Sequence, residues 1–284
     1  MHGKHVLITG PTAGIGLQIA IDLYALGARL TLGCRDVERG ASAAEKIRRA
    51  SGAPSAIDAM PIDVMQVDTS SQTSIRELAL EIREAHPRLD VLVNNAGISQ
   101  GERNLSVDGV ELTFATNVLG YFAVTNELLG TLTRSAPARI VNVASQFAGN
   151  LDLDDLQFAR RPFDGLQAYA QSKTCNRLLT WALARRVAGT GVTANAYAPG
   201  FVPGTELTRD MPPDVRAAYR QRTGRTPKQG ADTAVWLASS PALDGVNGRF
   251  FMDRRELPCE FRSEAGEERL WAECERLVAA KKKR

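Results

Sequence analysis

Apolar and polar positions along this chain alternate between two rhythms. Strand-length apolar runs occur at 5–9 ("HVLIT"), 29–33 ("RLTLG"), 60–68 ("MPIDVMQVD"), 90–95 ("DVLVNN"), 138–145 ("ARIVNVAS"), 192–199 ("VTANAYAP") and 248–252 ("GRFFM"). The early runs are nearly continuous rather than alternating, as in strands covered on both faces. Helical spacing marks 14–27, 74–85 and 173–189. The alternation continues without a polar linker, which predicts one doubly wound α/β domain over 1–280, a parallel sheet with helices on both faces.

Two segments break the rhythm. Residues 146–167 form an acidic-then-basic insertion between a strand and a helix, and 200–228, rich in Gly, Pro and Arg, follow a strand's carboxyl end. Ligands of open α/β sheets bind outside those ends, so both segments are expected to cover a ligand or to be surface decoration. The second has the stronger claim, because "PPDVRAAYRQR" predicts a short mobile helix over the site.

Composition narrows the function classes. A net charge of +3 is too small to argue for nucleic acid or a membrane surface, and "KKKR" at 281–284 reads as a solvated tail. The cysteines at 34, 175, 259 and 274 lack paired spacing, and no histidine pairs with one, so neither a disulfide framework nor a metal is expected. Cys175 reads as a small buried residue. No signal peptide or long apolar span is apparent, which gives a cytoplasmic expectation.

The stretch "TGPTAGIG" at 9–16 joins the first strand to the first helix. Glycines at 10, 14 and 16 suit a tight turn that lets a pyrophosphate approach backbone and a helix N-terminus. The same glycines also suit a plain βα turn. Their spacing resembles the cofactor motif of the short-chain dehydrogenases/reductases, and further motifs follow in that family's order: "NNAG" at 94–97, "TNVLGYF" at 116–122, "IVNVAS" at 140–145, "YAQSK" at 169–173 and "APG" at 198–200. The resemblance spans nearly the whole chain. "CRDVERG", "LDDLQ", "GTGVTANA" and "LWAECERLV" resemble the retinol-dehydrogenase-like branch, which includes protochlorophyllide reductases. Some members of that branch carry an N-terminal membrane anchor; with the first strand starting almost at Met1, none is expected.

The resemblance implies a nicotinamide dinucleotide held by Gly10, Thr12, Ala13, Gly14, Ile15 and Gly16, by Asp68 and Thr69 near the adenine, and by Asn95, Ala96 and Gly97 on the adenosine side. Pro199, Gly200 and Val202 would flank the nicotinamide. Thr205 stands where the branch has a threonine, after an extra glycine. Relatives that prefer NAD have an acid at the end of the second strand, but here Cys34 stands there and Arg35 follows. A guanidinium suits the 2′-phosphate of NADP(H); alternatively Arg35 forms a surface ion pair with Asp36.

Tyr169 and Lys173 are four apart, on one face of a helix. A phenol of pKa about 10 holds its proton too tightly for exchange near neutrality, and a neighbouring ammonium, together with the positive nicotinamide of the oxidised cofactor, is expected to lower that value. Outside this context the pair reads as a partly buried tyrosine with a solvated lysine. The resemblance makes Tyr169 the proton donor and Lys173 a ligand of the nicotinamide ribose, with Ser145, ending the fifth strand, bonding the substrate oxygen. It also makes Asn117 a helix kink that binds a relay water. Ser145, Gln146, Phe147, Tyr169 and Phe201 are the expected substrate-side residues.

The expected activity is hydride transfer between NADP(H) and a ketone or aldehyde, or the corresponding alcohol, in the reductive direction. The alternative is a catalytically silent dinucleotide sensor or scaffold, against which the intact set of Asn117, Ser145, Tyr169 and Lys173 argues. Arginines 160, 161, 209, 216, 220, 222 and 225 either meet an acidic substrate or keep the loops solvated, and solvation is the simpler reading. Relatives often pair through the helices bearing Asn117 and Tyr169. A homodimer is therefore open, with the 146–167 insertion a potential obstruction.

Overall fold

The computed structural model describes residues 1–51, 60–211 and 213–279. All five residues of β1 (His5–Thr9) are buried, because helices cover both faces of the sheet they centre. The chain then runs α1 (Gly14–Ala25), β2 (Arg29–Cys34), α2 (Val37–Ala50), β3 (Ile62–Gln66), α3 (Gln72–Ala85), β4 (Val91–Asn94), α4 (Leu112–Phe114), a π turn (Ala115–Leu119) and α5 (Gly120–Arg134). The second half adds β5 (Ala138–Val143), α6 (Gly165–Arg186), β6 (Val192–Tyr197), α7 (Pro213–Gln221), α8 (Pro227–Ser239), β7 (Phe250–Met252), β8 (Arg255–Glu256) and α9 (Glu264–Ala279).

The strand order is β3-β2-β1-β4-β5-β6-β7-β8, parallel except for the antiparallel pair β7–β8. Winding reverses between β1 and β4, so the crevice outside Thr9 and Asn94 is where a doubly wound sheet takes its ligand. One apolar cluster lies under α3, α5, α6 and α9, and a second under α1, α2 and α8.

The expected fold stands, with local corrections. The fifth strand stops at Val143, so Ser145 lies just beyond it in the turn. The helix bearing Tyr169 and Lys173 starts at Gly165, not at 173, because the Asp164 carboxylate caps it by accepting from the Leu166 and Gln167 N–H groups at 2.9 and 3.1 Å. The insertion covers the ligand crevice only at its ends. Its middle packs away from the crevice, with Leu151, Leu153 and Leu156 in the cluster beneath α6 and α9. The helix expected over the crevice is α7. The basic run at 281–284 lies outside the described residues.

α9 lies across the face formed by α5 and α6. Leu270 and Cys274 are fully buried there, and Trp271 meets Phe122 edge-on with ring centroids 4.8 Å apart. Cys175 is buried on α6, as expected. No helix among the described residues is long and apolar enough to cross a membrane.

Candidate active site

A cavity of about 710 Å³ opens along the carboxyl ends of the strands. It is lined by every expected site residue except Asn117, which is buried behind it. Its floor is the turn after β1. Gly10 has φ of +66°, and a Cβ there would stand 2.9 Å from Ala96 Cα, so the β1 and β4 turns touch backbone to backbone. Asn95 ties the turns together by donating to the Thr9 and Gly10 carbonyls, each at 2.9 Å. That is the structural role of "NNAG".

The first turn of α1 faces this cavity. Its N-cap, Ala13, gives no side-chain hydrogen bond, whereas Asp36, Ser71, Asp164 and Thr226 cap α2, α3, α6 and α8. The N–H groups at the start of α1 are therefore left for a ligand, and an anion is the ligand such a helix end favours. Thr205 packs over this turn, its Cγ2 3.2 Å from where a Cβ on Gly14 would lie. These features fit a dinucleotide pyrophosphate.

At the adenosine end, Cys34 is buried and its thiol donates to the Asp36 carbonyl at 3.3 Å. Asp36 does not pair with Arg35; its carboxylate accepts the Arg39 N–H at 3.0 Å. Arg35 is exposed at the rim and has no carboxylate partner among the described residues. Asp68 lines the wall, one carboxylate oxygen accepting from the Ser70 N–H and hydroxyl at 2.9 and 2.7 Å.

At the other end α6 brings Tyr169 and Lys173 under the turn after β5. The Lys173 ammonium donates to the Val143 carbonyl at 2.9 Å and stands 5.6 Å from the centre of the Tyr169 ring. Phe147 lies roughly parallel to that ring, 6.4 Å away. Asn117 sits within the π turn, an inserted irregularity in an otherwise helical run. Its Oδ1 accepts from the Ile98 N–H at 2.9 Å, while Nδ2 donates to the Ile98 carbonyl and the Ser172 hydroxyl, each at 3.0 Å. The kink is present as expected, but the Asn117 side chain spends both amide protons on protein. It clamps the β4 turn against α6.

Burial separates the two titrating groups. It pushes Tyr169 up to about 12 against the pull of the Ser145 hydroxyl. It brings Lys173 down to about 7. The expected lowering draws on the positive nicotinamide of the oxidised cofactor as well as on Lys173, whose ammonium here points at the Val143 carbonyl. Burial thus favours the neutral form of both groups.

Residues 4–216 match the family model for short chain dehydrogenase. This chain belongs to the short chain dehydrogenase family. It is 41% identical over 270 residues to retinol dehydrogenase 14 of Homo sapiens, covering 90% of this chain and 80% of that protein, and lies in the retinol-dehydrogenase-like branch. Among solved structures, a putative uncharacterized protein from Mycobacterium paratuberculosis is similar with TM-score 0.76 and 30% identity, over 98% of this chain and 94% of that one. The Pseudomonas aeruginosa RhlG/NADP active-site complex is similar with TM-score 0.68 and 31% identity, over 88% and 94%.

This short chain dehydrogenase also has site residues that the sequence reading passed over. Arg39, in the first turn of α2, makes a two-pronged ion pair with Glu206 at 2.7 and 2.8 Å. The pair bridges the adenosine end of the cavity to the covering segment after β6. Asp36 as a helix cap marks where Arg39 falls, but nothing in the chain marks a partner so far along it. Arg177, one turn beyond Lys173 and buried, donates to the Ser145 carbonyl and lies 3.9 Å from the centre of the Phe250 ring. It fixes the backbone of Ser145. Among the described residues, no group of His, Cys, Asp and Glu has metal-site geometry.

Proposed function

We propose that this oxidoreductase is an NADP(H)-dependent reductase of ketones or aldehydes. Ser145, Tyr169 and Lys173 gather at one end of a cavity whose other end presents an unpaired Arg35 and no acid at Cys34; this carries the reading. A reduced nicotinamide bound along the groove supplies the hydride for the carbonyl carbon. Ser145 then donates a hydrogen bond to the carbonyl oxygen as charge gathers on it, and Tyr169 gives that oxygen its proton. Lys173 restores the tyrosine's proton and offers its remaining N–H groups to the ribose. The NADP complex of a similar structure supports the choice of cofactor.

The test is cofactor oxidation by the purified protein over a panel of ketones and aldehydes, with NADPH and NADH in parallel. Turnover is expected with NADPH, falling about 100-fold or more in Tyr169→Phe. Equal use of NADH removes the cofactor assignment, and tight NADPH binding without turnover across the panel favours a sensor. Because α9 occupies the face through which relatives pair, the protein is expected to run as a monomer in light scattering. A dimer by that face would require α9 to move. Four unpaired thiols, three of them buried, support the cytoplasmic placement, which cell fractionation tests.

A further inference from the structure

The structure sorts the arginines of the covering segments. Arg161 faces Asp155, Arg209 pairs with Asp210 at 3.2 Å and lies 3.7 Å from Glu206, and Arg225 grips Asp253 through both terminal nitrogens. Arg216 donates to the Arg209 carbonyl at 3.1 Å. Arg222 alone among these segments' arginines both lines the cavity and has no carboxylate partner among the described residues.

Arg222 is also held in place. Its guanidinium carbon is 4.8 Å from the centre of the Phe201 ring and 5.7 Å from that of Tyr219, and the two rings meet edge-on at 5.8 Å. Aromatic faces take a guanidinium's flat side and leave its N–H edge outward. The same mouth exposes apolar surface: Phe147 is 54% and Leu166 43% exposed, and Met211 lines the cavity. Phe201, Tyr219 and Arg222 line the same cavity as Ser145 and Tyr169.

We propose that Arg222 is the anchor for a carboxylate at the far end of the substrate, so that the preferred substrate is an oxo acid with an apolar body. A planar fork and a carboxylate match in two parallel hydrogen bonds, and the shelf positions the fork before the ligand arrives. This rests on the reductase reading, since it names that reaction's substrate class. Solvation, the simpler reading of the arginine-rich loops, holds for Arg220 and not for Arg222.

The test uses matched acids and methyl esters: para-formylbenzoate, ω-oxooctanoate and ω-oxododecanoate, each with its ester, NADPH saturating. The wild type is expected to favour the best acid over its ester by about tenfold or more in kcat/KM, mostly through KM. Arg222→Gln brings that ratio close to one, and each variant's own ester rate controls for misfolding. Arg220→Gln, one step back on the chain, retains the wild-type ratio. A wild-type ratio near one at every length, or a ratio that survives Arg222→Gln, overturns the proposal. If none of these aldehydes turns over, the ketone and aldehyde panel decides the reductase reading separately, and calorimetric binding of the same pairs decides the anchor. Acid-selective binding lost in Arg222→Gln upholds it, and equal binding of acid and ester overturns it.

Discussion

Replacing Arg35 by alanine isolates the proposed basis of cofactor choice. The guanidinium stands at the rim of the adenosine end with no carboxylate to compete for it among the described residues, while its neighbour Arg39 is occupied by Glu206. Losing a hydrogen bond between charged groups costs about 1.5–3 kcal/mol, and each 1.4 kcal/mol is about tenfold in affinity. Arg35 is exposed, so water screens it and the lower end applies, a loss of about tenfold. Steady-state KM for NADPH and NADH, measured for both proteins, gives the answer. NADPH should weaken about tenfold while NADH, which lacks the 2′-phosphate, stays within about twofold. The wild-type preference should shrink as salt is raised, since the contact is between exposed charges. Equal losses for both cofactors, or none for NADPH, would refute the assignment.

Two further outcomes concern stability. His5 is buried at the opposite end of the sheet, its ring nitrogens bonded to the Arg88 carbonyl at 2.7 Å and the Thr31 hydroxyl at 2.8 Å, and burial lowers it from 6.5 to about 4. The unfolded chain binds the proton more readily, so this stabilisation is full above pH 6.5 and is lost as pH falls toward about 4, up to about 3 kcal/mol in all. Thermal melts across that window should show the slope, flattened in His5→Gln. Trp271→Ala removes an aromatic wedge between α9 and α5 and is expected to cost about 3–5 kcal/mol, a fall in Tm of about 10 °C. A loss below about 1 kcal/mol in denaturant titration would mean that α9 is not part of the core.

The buried parallel strands were legible because they are apolar on both faces, and the site because its residues come as short local motifs. What could not be read depends on partners remote in the chain. The first two turns of α6 escaped the periodicity because their polar residues are buried: Gln171 accepts from the Asp152 N–H at 2.9 Å and donates to the Leu156 carbonyl at 3.0 Å. A helix that buries polar as well as apolar side chains has no clear apolar stripe to show. β8 is two exposed residues, too short for any pattern. Spacing shows that a lysine is near Tyr169 but not that its ammonium points at the Val143 carbonyl in a buried setting.

The two apolar clusters on either side of the sheet carry different parts of the chemistry. The phosphate-facing turn and the arginines at the adenosine rim belong to α1 and α2 on one side; Asn117, Tyr169 and Lys173 belong to the helices on the other. Arg35 at the rim and Arg222 at the mouth share no hydrogen-bond partner with Tyr169 or Lys173, so they are expected to change nearly independently of that pair when substituted. On the proposed function, a lineage built on this chain can therefore drift from one dinucleotide to the other, or exchange one carbonyl compound for another at the mouth, while keeping Tyr169 and Lys173 intact.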